Sequence, residues 1–198
     1  MPIDYRALDE RAVLASVELV SRATDLTVPT PCAGWTLHDL LVHMTVQHDG
    51  FAASSRGESD LAVWKPRSLG ADPIEAYRVA ASGVISAFAA YTVAEFVLPE
   101  FAPHRPIPAW QAMSFHFIDY VVHSWDVARA LGAEVTFEPD LLQIALDVAR
   151  AVPEGEARLA PGASFAPAVP WQGGSRLDEI VAVLGRSPTW KAPARAAR

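Results

Sequence analysis

The sequence predicts an all-α fold, a four-helix bundle with short C-terminal additions. Long stretches with apolar residues at helical spacing alternate with stops marked by Pro and Gly. No stretch alternates apolar and polar residues over several strands, and no internal repeat is present. Of the 198 residues 51% are hydrophobic and 20% charged, enough to bury one core and too apolar for a disordered chain.

Residues 5–23 place Leu8, Val13, Leu14, Val17, Leu19 and Val20 at helical spacing, with Arg and Glu between them. Pro29 and Pro31 then break the chain. Thr36 with Asp39 reads as a capping box, Asp standing where Glu is more usual, and opens a second helix over 37–51. Residues 54–70 are polar and aperiodic, and read as a loop. Asp72-Pro73 places an N-cap before a first-turn proline and starts a third helix over 73–91. A β-like piece, 92–98, and Pro99, Pro103 and Pro106 precede a fourth, very apolar helix over 108–131. Gly132 ends that helix in the left-handed conformation glycine tolerates. Pro139 opens a fifth helix that runs to 151. Residues 152–175, rich in Pro, Gly and Ala, read as an extended arm, 176–184 as a short helix ending at Gly185, and 191–198 as a frayed tail. The chain thus divides into a bundle over 1–151 and an arm over 152–198 packed on it, not a separate domain.

Composition excludes several partners. A net charge of -7 presents no polyanion-binding face, so nucleic acid is not an expected partner. No apolar run reaches the roughly 18–20 residues that span a bilayer, so no membrane partner is expected. Residues 1–10 lack a basic cluster followed by an apolar stretch, and the single cysteine, Cys32, cannot form an internal disulfide. A cytoplasmic location is expected.

The chemistry concentrates on the fourth helix. It is apolar nearly all round and so should be buried, yet it carries His116, Asp119 and His123. At about 100° per residue, Asp119 and His123 lie about 40° apart and one turn from each other, with His116 in the same stripe. A buried carboxylate needs a partner, and a divalent metal held by carboxylate and neutral imidazole would supply one. His116 and His123 are separated by about 10 Å of helix rise and do not share one ion. Asp119 with His123 is therefore the better pair, and His116 is a supporting group or a rival to His123. A buried ion pair of Asp119 with either histidine is the alternative. The third ligand must come from another helix, and the second offers His38, His43 and His48. His38 sits in the first turn and reads as solvated; the helical wheel slightly favours His48 over His43. Cys32 reads as a packed thiol. Asp126 and Arg129 read as a helix-surface or interhelix pair, and Trp35, Trp110 and Trp125 as core or rim anchors.

Thr30-Pro31-Cys32-Ala33-Gly34-Trp35-Thr36, followed by Asp39-Leu40-Leu41-Val42-His43, resembles the entry to the second helix in mycothiol-dependent maleylpyruvate isomerase N-terminal domains. These belong to the DinB-like superfamily of metal-binding four-helix bundles. The stretch Asp119-Tyr120-Val121-Val122-His123-Ser124-Trp125-Asp126-Val127-Ala128-Arg129-Ala130-Leu131-Gly132 resembles the fourth helix of actinobacterial metal-binding proteins of that group. The ending, Phe165 to Pro170 and Leu177 to Pro188, is similar as well. The resemblance implies a divalent metal, zinc or nickel, on His43, Asp119 and His123, and it selects His43 over His48. Position 119 is Asp where the isomerase has Glu and many DinB-like proteins have His. Residues 152–198 do not read as the isomerase's separate C-terminal domain, so the isomerase activity itself does not transfer.

Two functions follow. Three protein ligands leave coordination positions open, the arrangement of a catalytic site. A metal-bound thiolate, with mycothiol as the small-molecule thiol, would make the chain an S-transferase or isomerase acting on a small electrophile. The alternative is a non-catalytic protein that binds a metal or a small ligand. An apolar bundle face can support a homodimer, as in related bundles.

Overall fold

The computed structural model describes residues 3–160 and 163–193, with backbone alone for 102–104. Four long helices form the bundle: α1 (Tyr5–Ser21), α2 (Leu37–Ser55), α3 (Pro73–Ala90) and α4 (Ala109–Leu131). α5 (Pro139–Ala151) and a short α6 (Arg176–Val183) pack at one end. The predicted starts hold for physical reasons. Thr36 Oγ1 accepts from the Asp39 N–H at 3.2 Å while Asp39 Oδ2 accepts from the Thr36 N–H at 2.9 Å, a complete capping box. Asp72 accepts from the Glu75 N–H ahead of α3, with Pro73 in the first turn. Gly132 closes α4 at φ +63°.

Two segments differ from the sequence reading. α2 continues to Ser55, a full turn beyond 51, because Phe51, Ala52, Ala53, Ser54 and Ser55 are all buried against neighbouring elements. The Pro-containing stretch after the third helix is a hairpin, β1 (Glu95–Leu98) paired antiparallel with β2 (Ala102–Pro108). The prolines hid β2. In a two-stranded ribbon each strand is an edge, where a missing N–H costs little. The loop over 54–70 includes a single 3-10 turn, Leu61–Trp64, and the arm another, Glu156–Arg158.

The apolar interior has two parts. One, between α1, α2, α3 and α4, includes Leu40, Leu41, Met44, Tyr120, Val121 and Trp125, and runs on into Leu141, Leu146, Ile180, Val181 and Leu184 of α5, α6 and the residue after it. The other lies beneath the hairpin and gathers Phe51, Trp64, Val84, Phe88, Phe96, Leu98 and Met113. His116 of the polar stripe of α4 packs where they meet, against Phe51 and Phe88 of one and Tyr120 of the other. No described helix is long and apolar enough to cross a membrane.

Candidate metal centre

α2 and α4 run antiparallel where they face each other, because His43 meets His123 and His48 meets His116. The ring centroids are 5.2 Å apart in both pairs. The stripe predicted on α4 is therefore cut into two layers by its partners on α2.

The outer layer brings together the three residues the resemblance selects. One donor atom each from His43, Asp119 and His123 lies within 4.8 Å of the others. Asp119 Oδ1 is 3.4 Å from His123 Nε2, so the shorter Asp side chain still reaches the imidazole one turn away. His123 is buried, whereas Asp119 and His43 are half-buried, so the group opens on one side to solvent. Trp35, 38% exposed, stands at this mouth with its ring 5.2 Å from that of His43.

Electrostatics suit a cation. Burial, helped by the neighbouring His123, lowers His43 to about 4, so its imidazole is neutral and offers a lone pair. Burial would lower His123 too, but Asp119 and the hydrogen bond to Asp126 overcome it and raise the group to about 10. Without a metal, an imidazolium thus sits between two carboxylates. A divalent ion between His43, Asp119 and His123 would take the place of the Nε2 proton, and the donor set of two imidazoles and one carboxylate fits zinc and its neighbours.

Behind His123 lies a group the sequence reading missed. His123 Nδ1–H donates to Asp126 Oδ2 at 3.0 Å, which leaves Nε2 to face His43 and Asp119. The same oxygen accepts from the Cys32 thiol at 3.3 Å and from the Arg186 guanidinium at 3.2 Å. Asp126 is fully buried. Burial pushes its carboxyl up, but Arg186 and His123 outweigh that and hold it below the usual range. Asp126 is therefore not paired with Arg129, contrary to expectation: it faces the interior, while Arg129 turns outward over the Trp125 ring and towards Asp178. The signal available was an acidic residue three positions after His123 on a helix apolar all round. Arg186 lies 60 residues further on and gave no such signal. Cys32 packs as expected, but against Asp126.

The inner layer holds His48 and His116, away from the outer three residues. His116 Nδ1 lies 2.6 Å from Asp9 Oδ1 on α1, and His116 Nε2 lies 3.1 Å from His48 Nδ1. All three residues are buried. The His48 ring stacks on Tyr120 at 4.1 Å, and His116 packs against Phe51 and Phe88. Burial keeps His48 well below its ordinary pKa. The tautomers that give every N–H a partner are Nδ1–H on both rings. His48 Nε2 then carries a bare lone pair, and it and Asp9 Oδ2 have no hydrogen-bond partner among the described residues. The wheel's slight preference for His48 thus points into the core. His116 contacts Asp9 and His48 rather than His123, and His38 is exposed as expected.

A four-helix bundle with a histidine–carboxylate set on α2 and α4 is the DinB-like class of protein. Within that class, residues 7–128 match the model of the mycothiol maleylpyruvate isomerase N-terminal domain, and the chain belongs to that family. It is also similar to the uncharacterized proteins Rv0738 and MT0763 from two strains of Mycobacterium tuberculosis. Each is 32% identical over 181 residues, covering 89% of this chain and 91% of the relative. No solved structure matches the chain.

Proposed function

We propose that the bundle holds one divalent metal ion, zinc or nickel, on His43, Asp119 and His123, and serves a mycothiol-dependent transfer or isomerisation of a small electrophile. The observation that carries this reading is the convergence of three donor atoms within 4.8 Å, with the far nitrogen of the buried histidine already engaged by Asp126. Membership of a mycothiol-related family supports the choice of thiol.

When bound, such an ion stabilises a thiolate, the nucleophilic form of a thiol, near neutral pH. The rest falls to the chain. His43 contributes a neutral nitrogen. Asp119 offsets one unit of the ion's charge from the solvent side. Asp126 keeps the His123 ring in one orientation. Three protein ligands leave room for an exogenous thiol at the open side, where Trp35 offers a flat apolar wall.

The test is the metal content of tag-free protein, followed by thiol transfer to a model electrophile with and without chelator. About one ion per chain and a chelator-sensitive rate support the reading. Equal rates in both conditions overturn the enzymatic part. The second reading, a protein that binds a metal without turnover, rests on Cys32, Asp126 and Arg186 being engaged with one another, which leaves no spare acid–base group among them. A stoichiometric ion with no thiol transfer selects that reading.

A further inference from the structure

We propose that the C-terminal arm is a working part of the metal centre: Arg186 is a positioning residue that acts through Asp126 on His123, so metal binding and docking of the arm are coupled. This rests on the metal reading of His43, Asp119 and His123.

The arm's own fold converges on Arg186. Leu177, Ile180, Val181 and Leu184 bury against the bundle. The chain then turns at Gly185, with φ +84°, where a Cβ would come within 2.6 Å of the Ala166 carbonyl oxygen. Only glycine fits both the turn and that approach. The next residue is Arg186. Its N–H donates to the Val181 carbonyl at 2.8 Å, its Nη1 to the Leu184 carbonyl at 3.2 Å, and its guanidinium lies 5.5 Å from the centre of the Phe165 ring. Arg158, itself buried, ties the same region together by donating to the carbonyls of Val152, Pro153, Ala166 and Val183.

Among the described residues, the guanidinium held by these contacts forms its ion pair with Asp126, at 3.2 Å. The Arg186 side chain is 11% exposed and that of Asp126 is 0% exposed. A buried carboxylate without its cation would leave the interior or pull its neighbours out of place. Asp126 stays where it can accept from His123 because Arg186 compensates it. Outer groups of this kind orient a ligating imidazole, and their loss typically weakens metal binding about 10- to 100-fold. Coupling of two binding events is reciprocal, so an ion on His123 must tighten the arm.

The experiment uses cobalt(II) on the full chain, reading affinity, the visible d–d spectrum and the rate of proteolytic cleavage within the arm. Arg186→Met and Asp126→Asn are expected to weaken cobalt binding about 10- to 100-fold and to alter the spectrum. Arg186→Lys, which keeps the charge and one donor, should recover most of the affinity. In the wild type, cobalt should slow cleavage of the arm. Unchanged affinity and spectrum in a folded Arg186→Met variant would overturn the inference alone. So would a wild-type cleavage rate indifferent to bound cobalt, a result that needs no variant to fold. A wild type that takes up neither cobalt nor zinc overturns the metal reading and this inference with it.

Discussion

His123 and His116 sit two turns apart on one face of α4; each meets a histidine of α2 and a carboxylate. At the outer layer the carboxylate, Asp119, is on α4 itself and 22% exposed, and a second one, Asp126, anchors the far side of the ring. At the inner layer the carboxylate, Asp9, comes from α1 and is 1% exposed, and His48 ends the chain of contacts against Tyr120. Similar residue types therefore make two different devices. The outer layer converges its donors on a point that is open to solvent. The inner layer strings them in a line inside the core, Asp9 to His116 to His48, where they tie α1, α2 and α4 together and leave only the two outer atoms of the line, Asp9 Oδ2 and His48 Nε2, without a partner among the described residues. Convergence and access, rather than the presence of histidine, separate the candidate ligand set from the buried network.

The sharpest test of this contrast is a double dissociation. Asp9→Ala removes one partner of a buried pair, which costs about 3–5 kcal/mol. At about 2–4 °C per kcal/mol for a domain of this size, Tm should fall by roughly 6–20 °C. The folded fraction should still take up its ion. Asp119→Ala should do the opposite, abolishing stoichiometric metal uptake while the Tm of the metal-free protein falls less than in Asp9→Ala, since only the half-buried partner of His123 is lost. Calorimetry and elemental analysis on both variants decide the matter, and the contrast fails if Asp9→Ala loses the ion while remaining folded.

The second expected effect is on pH dependence in chelator. His43 and His48 both have folded-state pKa values below that of an unfolded histidine, about 6.5. Below that pH the unfolded chain takes up protons that the native state refuses. Stability is therefore lost as pH falls through about 6.5, continuing to about 4 for His43. The raised His123 adds no slope below about 6.5, where its stabilising contribution is complete; that contribution is lost progressively as pH rises from about 6.5 to about 10, so it opposes the trend only between pH 7 and about 6.5. Asp9, raised by burial, gains stability as acid is added and opposes the trend at the low end. Tm recorded at pH 7, 6 and 5 should fall, and His48→Met should fall less steeply. Parallel slopes would remove the inner layer from the explanation.

Packing around the inner end supplies a third, smaller effect. A Cβ on Gly50 would lie 2.4–2.7 Å from the Trp64 indole, so Gly50→Ala should cost about 1–3 kcal/mol through overpacking. Metal uptake should be unaffected. The smallest effect is expected at the outer end of α2, where Thr36→Ala removes half of the capping box and costs about 1 kcal/mol. His43 lies two turns inside that cap, so the ion's affinity should hardly move. A large loss of affinity there would mean that the start of α2 positions the ligand directly.

Local signals in the sequence determined most of the bundle. Thr36, Asp72, Pro73, Gly132 and Pro139 mark helix ends through interactions within a few residues, and apolar periodicity depends only on neighbours along the same helix. The one-turn pairing of Asp119 with His123 was legible for the same reason. Which of His43 and His48 stands beside His123 was not. It depends on where α2 meets α4, and a wheel gives the angle of a residue but not its height against a partner. The tertiary structure alone decided that His116 belongs to Asp9, that Asp126 faces inward, and that an arginine from the arm completes the surroundings of His123. Those contacts join residues 107, 3 and 60 positions apart. Even the shortest of them depends on which side of α4 the core covers. Burial and long-range pairing are properties of packed helices, and no single stretch of sequence contains them.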